Sequence, residues 1–151
     1  MTQKSFMPAL YELVRAYQAF ESYSAAHIRT LGLTSSQFDI IATLGNTQGM
    51  SFKDLGEKTL ITKGTLTGVV DRLVAKSLVR RVASPSDGRS QMVQLTRAGE
   101  VLFARVFPAH LAYLEQVFAA WSQKNLDTTQ AALRQLRDVF YAASNNLKEA
   151  A

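Results

Sequence analysis

Cysteine is absent from this sequence. Without thiols the chain cannot form disulfide bonds, thiolate metal sites, cysteine nucleophiles or thiol-based redox sensors. Long hydrophobic runs are also missing, since no stretch approaches 18 apolar residues without charge, and we expect no membrane-spanning segment. The N-terminal segment has neither the continuous apolar region nor the small-residue cleavage site of a signal peptide. We therefore expect a mature protein of the cytoplasm.

Catalytic signatures are missing as well. The sequence has no glycine-rich phosphate loop, no metal-ligand spacing and no paired nucleophile and base. His27 and His110 are the two histidines of the chain, and without thiolates or a tight carboxylate cluster they make a poor zinc site. We therefore expect no enzyme activity, no catalytic residues, no cofactor and no metal.

Positive charge is concentrated in one central segment. The chain has 151 residues, a length typical of a single domain, and a net charge of +5. Residues 51–99 contain nine basic and four acidic side chains, whereas the other residues contain eight of each. A confined excess of this kind favours a face that binds a polyanion, although a basic surface exposed to water would give the same count.

The first half of the chain has the pattern of four helices. Apolar residues at spacings of three and four predict a helix from about Phe6 to Leu31, ended by Gly32. Thr34 and Gln37 form a capping box for a second helix. Ser51 is a plausible N-cap for a short helix over residues 52–58, and Thr62 for the next helix. That fourth helix has an apolar stripe made of Leu66, Val69, Val70 and Leu73.

The period then changes to that of strands. Residues 78–82 and 91–95 alternate like strands, and a turn rich in Ser, Pro, Asp and Gly separates them over residues 84–89. Thr96 caps a long helix whose apolar positions extend to Trp121, and Pro108 should kink or divide it. A last helix is expected over about 127–147, beginning at Asp127.

Two short helices joined by residues 59–61 and followed by a hairpin constitute a winged helix-turn-helix. The second helix of this pair would present polar residues opposite its apolar stripe, suited to phosphates and base edges in a major groove. Gly64 and Gly68 each cost helix stability of roughly 1 kcal/mol, which a close approach to DNA would explain. An amphipathic core helix with a polar outer face remains the alternative. The polar residues are Thr62, Lys63, Gly64, Thr65, Thr67, Gly68 and Arg72.

An ordered series of short motifs resembles the MarR family of bacterial transcriptional regulators, over about residues 31–100. Any one of these motifs would be weak evidence, but their order and spacing together are specific. They are Gly32-Leu33-Thr34, Gln37-Phe38, Lys63-Gly64-Thr65-Leu66-Thr67, Asp71-Arg72-Leu73, Leu78-Val79, Asp87-Gly88-Arg89-Ser90, Leu95-Thr96 and Gly99.

The resemblance implies a mainly α fold with a small β-hairpin wing, in which a winged helix-turn-helix is joined to a helical dimerisation region. Residues 1–33 and 100–151 would form the dimerisation region and residues 34–99 the DNA-binding domain, within a single intertwined domain. A homodimer would place two recognition helices in successive major grooves of a pseudo-palindromic operator in double-stranded DNA, with half-sites about 10 base pairs apart.

The resemblance also assigns roles to individual residues. Arg89 corresponds to the wing arginine that reaches the minor groove, and Asp87 to the acid that orients the wing. Arg72 corresponds to an arginine linked with the DNA backbone and the wing. Gly68 departs from the family pattern, since many members have a basic residue there, and the departure could alter base preference.

A small amphipathic ligand, phenolic or carboxylic, releases many members of this family from DNA, which would make this protein a ligand-responsive repressor. Such a ligand needs an apolar slot with one or two polar or cationic groups. Aromatic side chains at these positions could instead fill the core and the dimer interface. The alternative function is a constitutive or architectural DNA-binding dimer without an effector. Candidate ligand residues are Tyr17, Phe20, Tyr23, His27, Phe38, Thr67 and Arg81.

Overall fold

The computed structural model describes residues 4–59 and 61–151. Residues 1–3 and Leu60 lie outside this description, and with them the very start of the expected mature N-terminus and the middle of the expected turn at 59–61. The described chain is mainly helical with a small antiparallel sheet, which confirms the predicted fold class. Its elements are α1 (Met7–Thr30), α2 (Ser35–Leu44), β1 (Met50–Ser51), α3 (Phe52–Thr59), α4 (Lys63–Ala75), β2 (Val79–Ala83), β3 (Gln91–Leu95), α5 (Arg97–Glu115), a 3₁₀ turn (Gln116–Phe118) and α6 (Gln123–Ala150).

Local capping chemistry determines where several helices begin. At α2 the Gln37 amide donates to the Thr34 hydroxyl over 3.2 Å and the Thr34 amide donates to the Gln37 side chain over 3.1 Å. The Ser51 hydroxyl accepts from the amide of Asp54. These bonds satisfy amides that have no partner within the helix and confirm the predicted capping box and the cap of α3.

Thr62 occupies the N-cap position of α4, as predicted, but its side chain does not cap a backbone amide. Its hydroxyl instead donates to the hydroxyl of Thr65 over 3.1 Å. The first turn of α4 therefore begins with two linked hydroxyls on its exposed surface.

The sheet has three strands in the order β1–β3–β2, all antiparallel. The hairpin pairs Val79 with Leu95 and Ala83 with Gln91. The third strand, β1, was not predicted, because its two residues pair only with Val93 and Met92, far away in sequence. This strand attaches the segment before α3 to the inner edge of the hairpin.

In the last third of the chain the structure differs from the predictions for both helices. Pro108 does not divide α5, but the helix ends at Glu115 and so does not reach Trp121 as predicted. Pro108 and Ala104, the residue four positions earlier, are both exposed, so the carbonyl that loses its helical partner can bond to water. The final helix begins four residues before Asp127, because the Ser122 hydroxyl accepts from the amide of Asn125 and provides the N-cap.

The chain divides into two compact units, one ending at Leu114 and the other spanning Glu115–Ala151. The first unit contains the hydrophobic core, which includes the whole predicted stripe of α4. Residues from α2, α3, α4, α5 and the sheet meet there, and this common core holds α4 against the hairpin. The most deeply buried side chains are Ile40, Ile41, Leu44, Leu55, Leu66, Val70, Leu73, Val79, Val93 and Val106.

Apolar side chains remain exposed on the two terminal helices. In α1, only Ser24 and Ile28 are buried, although the predicted apolar face extends along most of the helix. In the second unit, α6 has no buried residue. The exposed apolar residues of these two helices include Met7, Tyr11, Val14, Tyr17, Phe20, Leu133, Val139, Phe140 and Leu147. Across residues 4–59 and 61–151, no helix combines the length and apolar character that crossing a membrane needs.

Candidate nucleic-acid interface

The first turns of α4 form an exposed polar surface. Lys63, Thr65 and Thr67 are all exposed there, next to Gly64, and Arg72 is exposed nearer the end of the same helix. The buried stripe of α4 lies on the opposite side, so packing against the core fixes which residues face outward. The predicted recognition residues of α4 therefore share one solvent-facing side of a firmly packed helix.

Packing does not explain the two glycines of this helix. A Cβ atom built at Gly64 or Gly68 would have no neighbour within 4 Å. Each glycine within a helix lowers its stability by about 1 kcal/mol relative to alanine. No close contact at either position compensates for this cost. The backbone at both positions is open to close approach by another molecule.

The tip of the hairpin is ordered by Asp87. One carboxylate oxygen of Asp87 accepts from the Arg89 amide over 3.0 Å, and the other accepts from the Ser90 hydroxyl over 3.0 Å. The Ser90 amide also donates to the Asp87 carbonyl over 3.0 Å. These bonds fix the backbone at Arg89, whose side chain is exposed. Asp87 therefore holds the backbone of the turn that carries Arg89, while the role of both residues in DNA binding stays a prediction.

The hairpin is also tied to α4. The Arg81 guanidinium on β2 forms an ion pair with the Asp71 carboxylate on α4. The same guanidinium lies 5.7 Å from the ring centroid of Phe52, at the start of α3. Arg81 thus links the wing strand to both helices of the helix-turn-helix.

A close backbone contact fixes the junction between the hairpin and α5. The Thr96 hydroxyl accepts from the Gly99 amide over 3.1 Å and donates to the Ser77 carbonyl over 2.7 Å, which confirms the predicted cap. A Cβ atom at Gly99 would lie only 2.1 Å from the Leu78 carbonyl oxygen. Only glycine permits this approach of α5 to the base of β2.

The candidate ligand residues of the first unit fall into two groups. Tyr17 and Phe20 line a cavity of about 420 Å³, bounded by α1, α2 and the residues around the α3–α4 turn. Thr67 and Arg81 do not line it. The other lining residues were not predicted to bind a ligand, although Thr62 and Thr65 were predicted to bind DNA; they are Glu21, Ser24, Ile28, Ser35, Ser36, Asp39, Thr59, Ile61, Thr62 and Thr65.

Tyr23, His27 and Phe38 belong instead to an aromatic cluster between α1, α2 and α5. His27 stacks on Tyr113 at 4.2 Å, and Tyr23 stacks on the same ring at 4.4 Å. Phe38 meets His110 edge to face at 4.7 Å. The contacts of these three candidates are with other aromatic rings, and of the three only Phe38 is buried in the core, whereas Tyr23 stays exposed.

His110 is the polar centre of this aromatic cluster. Its Nε2 lies 3.0 Å from the Ser24 hydroxyl, and its Nδ1 lies 2.9 Å from Nδ1 of His27. Burial, followed by the proximity of His27, lowers the pKa of His110 from its usual value. In the hydrogen bond between the two rings one Nδ1 donates and the other accepts.

Asp39 is the most perturbed acid of the cavity. Partial burial and, second, the nearby Glu21 carboxylate raise the pKa of Asp39 to about 6. Glu21 comes from α1 and Asp39 from α2, so the packing of these two helices brings the carboxylates to one wall. No signal in the sequence distinguishes this pair from other surface acids.

Known proteins resemble the chain in sequence and fold. Residues 31–90 match the model of the MarR family. The chain is 30% identical over 136 residues to the HTH-type transcriptional regulator MhqR of Bacillus subtilis, covering 90% of this chain and 93% of that protein. It is 28% identical over 140 residues to the homoprotocatechuate degradative operon repressor of Escherichia coli, covering 91% and 90%.

The structural match extends over nearly the whole chain. BpsR of Bordetella bronchiseptica, whose DNA binding is regulated by 6-hydroxynicotinic acid, superposes with a TM-score of 0.77 at 25% identity. That superposition covers 91% of this chain and 99% of BpsR. The helical framework, the helix-turn-helix and the hairpin are therefore shared with a regulator of known fold.

Proposed function

Since this chain belongs to the MarR family of transcriptional regulators, we propose that it is a dimeric, sequence-specific repressor released from its operator by a small phenolic or carboxylic molecule. Members of this family regulate transcription by binding DNA and are not enzymes.

The observation that carries the DNA-binding proposal is the exposed first turn of α4 beside an ordered wing tip. Lys63, Thr65 and Thr67 would meet the major groove, while the open backbone at Gly64 permits close approach. Arg89, held by the Asp87 turn, would enter the adjacent minor groove, where negative potential attracts a guanidinium. The net charge of +5 in residues 51–99 supports this orientation toward phosphates.

We assign dimerisation to residues 1–33 and 100–151, and operator binding to residues 34–99. The support is the exposed apolar surface of α1 and of α6, which a folded chain in water would rarely leave uncovered. A second copy of the chain is the partner that the family suggests. Two copies would present two α4 helices to half-sites about one helical turn apart.

Effector control would act through the cavity beside α4. Tyr17 and Phe20 provide its apolar side, and Thr62 and Thr65 belong both to its lining and to the first turn of α4. A molecule bound there would contact the helix that meets DNA and would favour dimers whose two α4 helices are misspaced for the operator. Such coupling is reciprocal, so DNA must weaken effector binding by the same factor. The regulation of BpsR by an aromatic hydroxy acid supports an effector of this size.

The direct test is fluorescence anisotropy of the purified protein on DNA from upstream of its own gene. We expect tight, sequence-selective binding with an affinity that falls steeply as the salt concentration rises. A phenolic or carboxylic compound should reduce that affinity further. Lys63→Ala should reduce the slope of log affinity against log salt by about 0.9 for each phosphate that Lys63 neutralises. Lys148→Ala, on the exposed surface of α6, also removes one positive charge and controls for the change in overall charge.

The outcomes separate the candidate functions. Selective binding that no small molecule weakens would favour the constitutive or architectural dimer. Weak binding that is indifferent to sequence would contradict the operator assignment. An unchanged salt slope for Lys63→Ala would show that Lys63 does not contact a phosphate.

A further inference from the structure

The cavity beside α4 has walls of two different chemical kinds. Tyr17 and Phe20 on α1, with Ile28 and Ile61, form an apolar side, and serine and threonine hydroxyls surround the remainder. A volume of about 420 Å³ lies within the range of small-molecule sites. One aromatic ring with short substituents fits such a space.

The charges at this cavity are all of one sign. Glu21 from α1 and Asp39 from α2 both line it, and no lysine or arginine is among the described residues of its wall. The α3–α4 side contributes the hydroxyls of Thr59, Thr62 and Thr65 rather than a charge. Arg81, the one arginine among the predicted ligand residues, is paired with Asp71 and does not line this cavity.

We propose that this cavity selects aromatic ligands that donate hydrogen bonds and carry no negative charge, such as phenols and aromatic amines, and discriminates against aromatic carboxylates. The proposal rests on the effector site of the proposed function and defines its ligand class. A carboxylate would be the third negative charge at a wall with no cation, whereas an O–H or N–H group can donate to Glu21 or Asp39.

The electrostatics of Asp39 supports this selection. Burial, and then Glu21, already oppose ionisation of Asp39 and raise its pKa to about 6. Near neutral pH the ionised Asp39 therefore has no compensating cation among the described residues of the wall. A bound hydrogen-bond donor, and above all a cation, would stabilise that carboxylate, whereas another anion would repel it.

Three compounds with the same phenol ring and a two-carbon para substituent provide the test: tyramine, 4-ethylphenol and 4-hydroxyphenylacetate, which are a cation, a neutral molecule and an anion at pH 7.5. Binding to the full chain is measured by isothermal titration calorimetry, and release of operator DNA by anisotropy. We expect tyramine and 4-ethylphenol to bind at least about ten-fold more tightly than 4-hydroxyphenylacetate.

Isosteric variants isolate the charges. In Glu21→Gln and Asp39→Asn, the affinity for 4-hydroxyphenylacetate should rise several-fold and that for tyramine should fall several-fold, while 4-ethylphenol changes little. Glu12→Gln makes the same change on α1 outside the cavity wall and should leave all three affinities unchanged. Lowering the pH from 7.5 to 5 should weaken tyramine binding to the wild type, because Asp39 becomes protonated.

The results distinguish this proposal from the proposed function. If 4-hydroxyphenylacetate binds best and releases DNA, and the two variants leave its affinity unaltered, the ligand class is wrong while effector control stands. If the compounds bind in the expected order but DNA stays bound, the site is correct and effector control fails. If none of the three binds, the ligand class is overturned.

Discussion

Arg81 on the first strand of the hairpin forms an ion pair with Asp71 on α4, and its guanidinium also lies over the ring of Phe52. The pair connects the two parts of the molecule that we expect to enter neighbouring grooves of DNA. The ion pair contributes little to the free energy of folding, since the Asp71 side chain is 58% exposed. It does, however, fix the position of the hairpin relative to α4.

We therefore expect Arg81→Ala to weaken operator binding through a misdirected wing. The loss should be about three- to ten-fold, and the free energy of unfolding should fall by no more than about 1 kcal/mol. Asp71→Ala should have a similar effect, and the double variant should lose less than the sum, because both changes break the same ion pair. Additive losses measured by anisotropy would mean that Arg81 contacts DNA directly.

Arg89→Ala should weaken operator binding by roughly 1–3 kcal/mol without altering dimerisation. The Arg89 side chain is exposed, while the Asp87 turn fixes its backbone. Arg105→Ala removes another exposed arginine, on α5, and is the matched control. Anisotropy at fixed salt and sedimentation of the free protein measure the two quantities, and equal DNA affinities for the two variants would exclude the wing assignment.

Two glycine substitutions should have opposite effects on stability. Gly99→Ala places a methyl group 2.1 Å from the Leu78 carbonyl oxygen and should destabilise the fold by about 2–3 kcal/mol. Gly68→Ala meets no atom within 4 Å and should stabilise α4 by up to about 1 kcal/mol. Urea denaturation measures both. If α4 approaches DNA at Gly68, the stabilised variant should nevertheless bind the operator less tightly, and unchanged affinity would argue against close contact there.

Asp39→Asn should stabilise the protein at neutral pH and not in acid. Because the folded state raises the pKa of Asp39 to about 6 from 3.8, the stability linked to this group is complete below 3.8 and is lost as the pH rises through 6. The variant removes that loss, by at most about 1 kcal/mol given the exposure of the side chain. Denaturation of both proteins at pH 4 and 7.5 tests the sign, and an equal difference at both values would contradict it.

The stability linked to His110 should depend on pH in the opposite sense to that linked to Asp39. Since the folded state lowers the pKa of His110, its stability contribution is present above the usual histidine value and is lost as the pH falls through the lowered one. His27→Gln removes the second cause of the shift and should reduce the fall in Tm between pH 7 and 5. The comparison is best made with Asp39→Asn in both proteins, so that the raised pKa of Asp39 does not contribute to the change in Tm. An unchanged fall would show that burial alone sets the behaviour of His110.

Local chemistry made parts of this fold predictable from sequence. The Thr34–Gln37 capping box and the caps at Ser51 and Thr96 depend on residues three positions apart, so the sequence contains all the partners. The stripe of α4 was predictable for the same reason, because its spacing matches the helical period. The end of α5 was not, because solvent exposure at Pro108 allows the helix to continue.

The candidate sites were less predictable because they depend on packing between distant residues. Aromatic spacing on α1 identified Tyr17, Phe20, Tyr23 and His27 but not which of them face the cavity and which stack on α5. Glu21 and Asp39 are 18 positions apart, and only the approach of α1 to α2 makes them neighbours. The DNA-binding assignments of Lys63 and Arg89 depend on the winged-helix pattern and on family resemblance.

The short strand β1 has a consequence for the order of folding. Ala83 and Gln91 of the hairpin are 8 positions apart, whereas Met50 and Val93 are 43 positions apart. Loop closure costs more conformational entropy over the longer separation, so we expect the hairpin to close before β1 pairs with β3. The Met50–Val93 pair should then form late in folding, once α3 and α4 between its partners are in place, and hydrogen exchange of its amide protons during refolding would report that step.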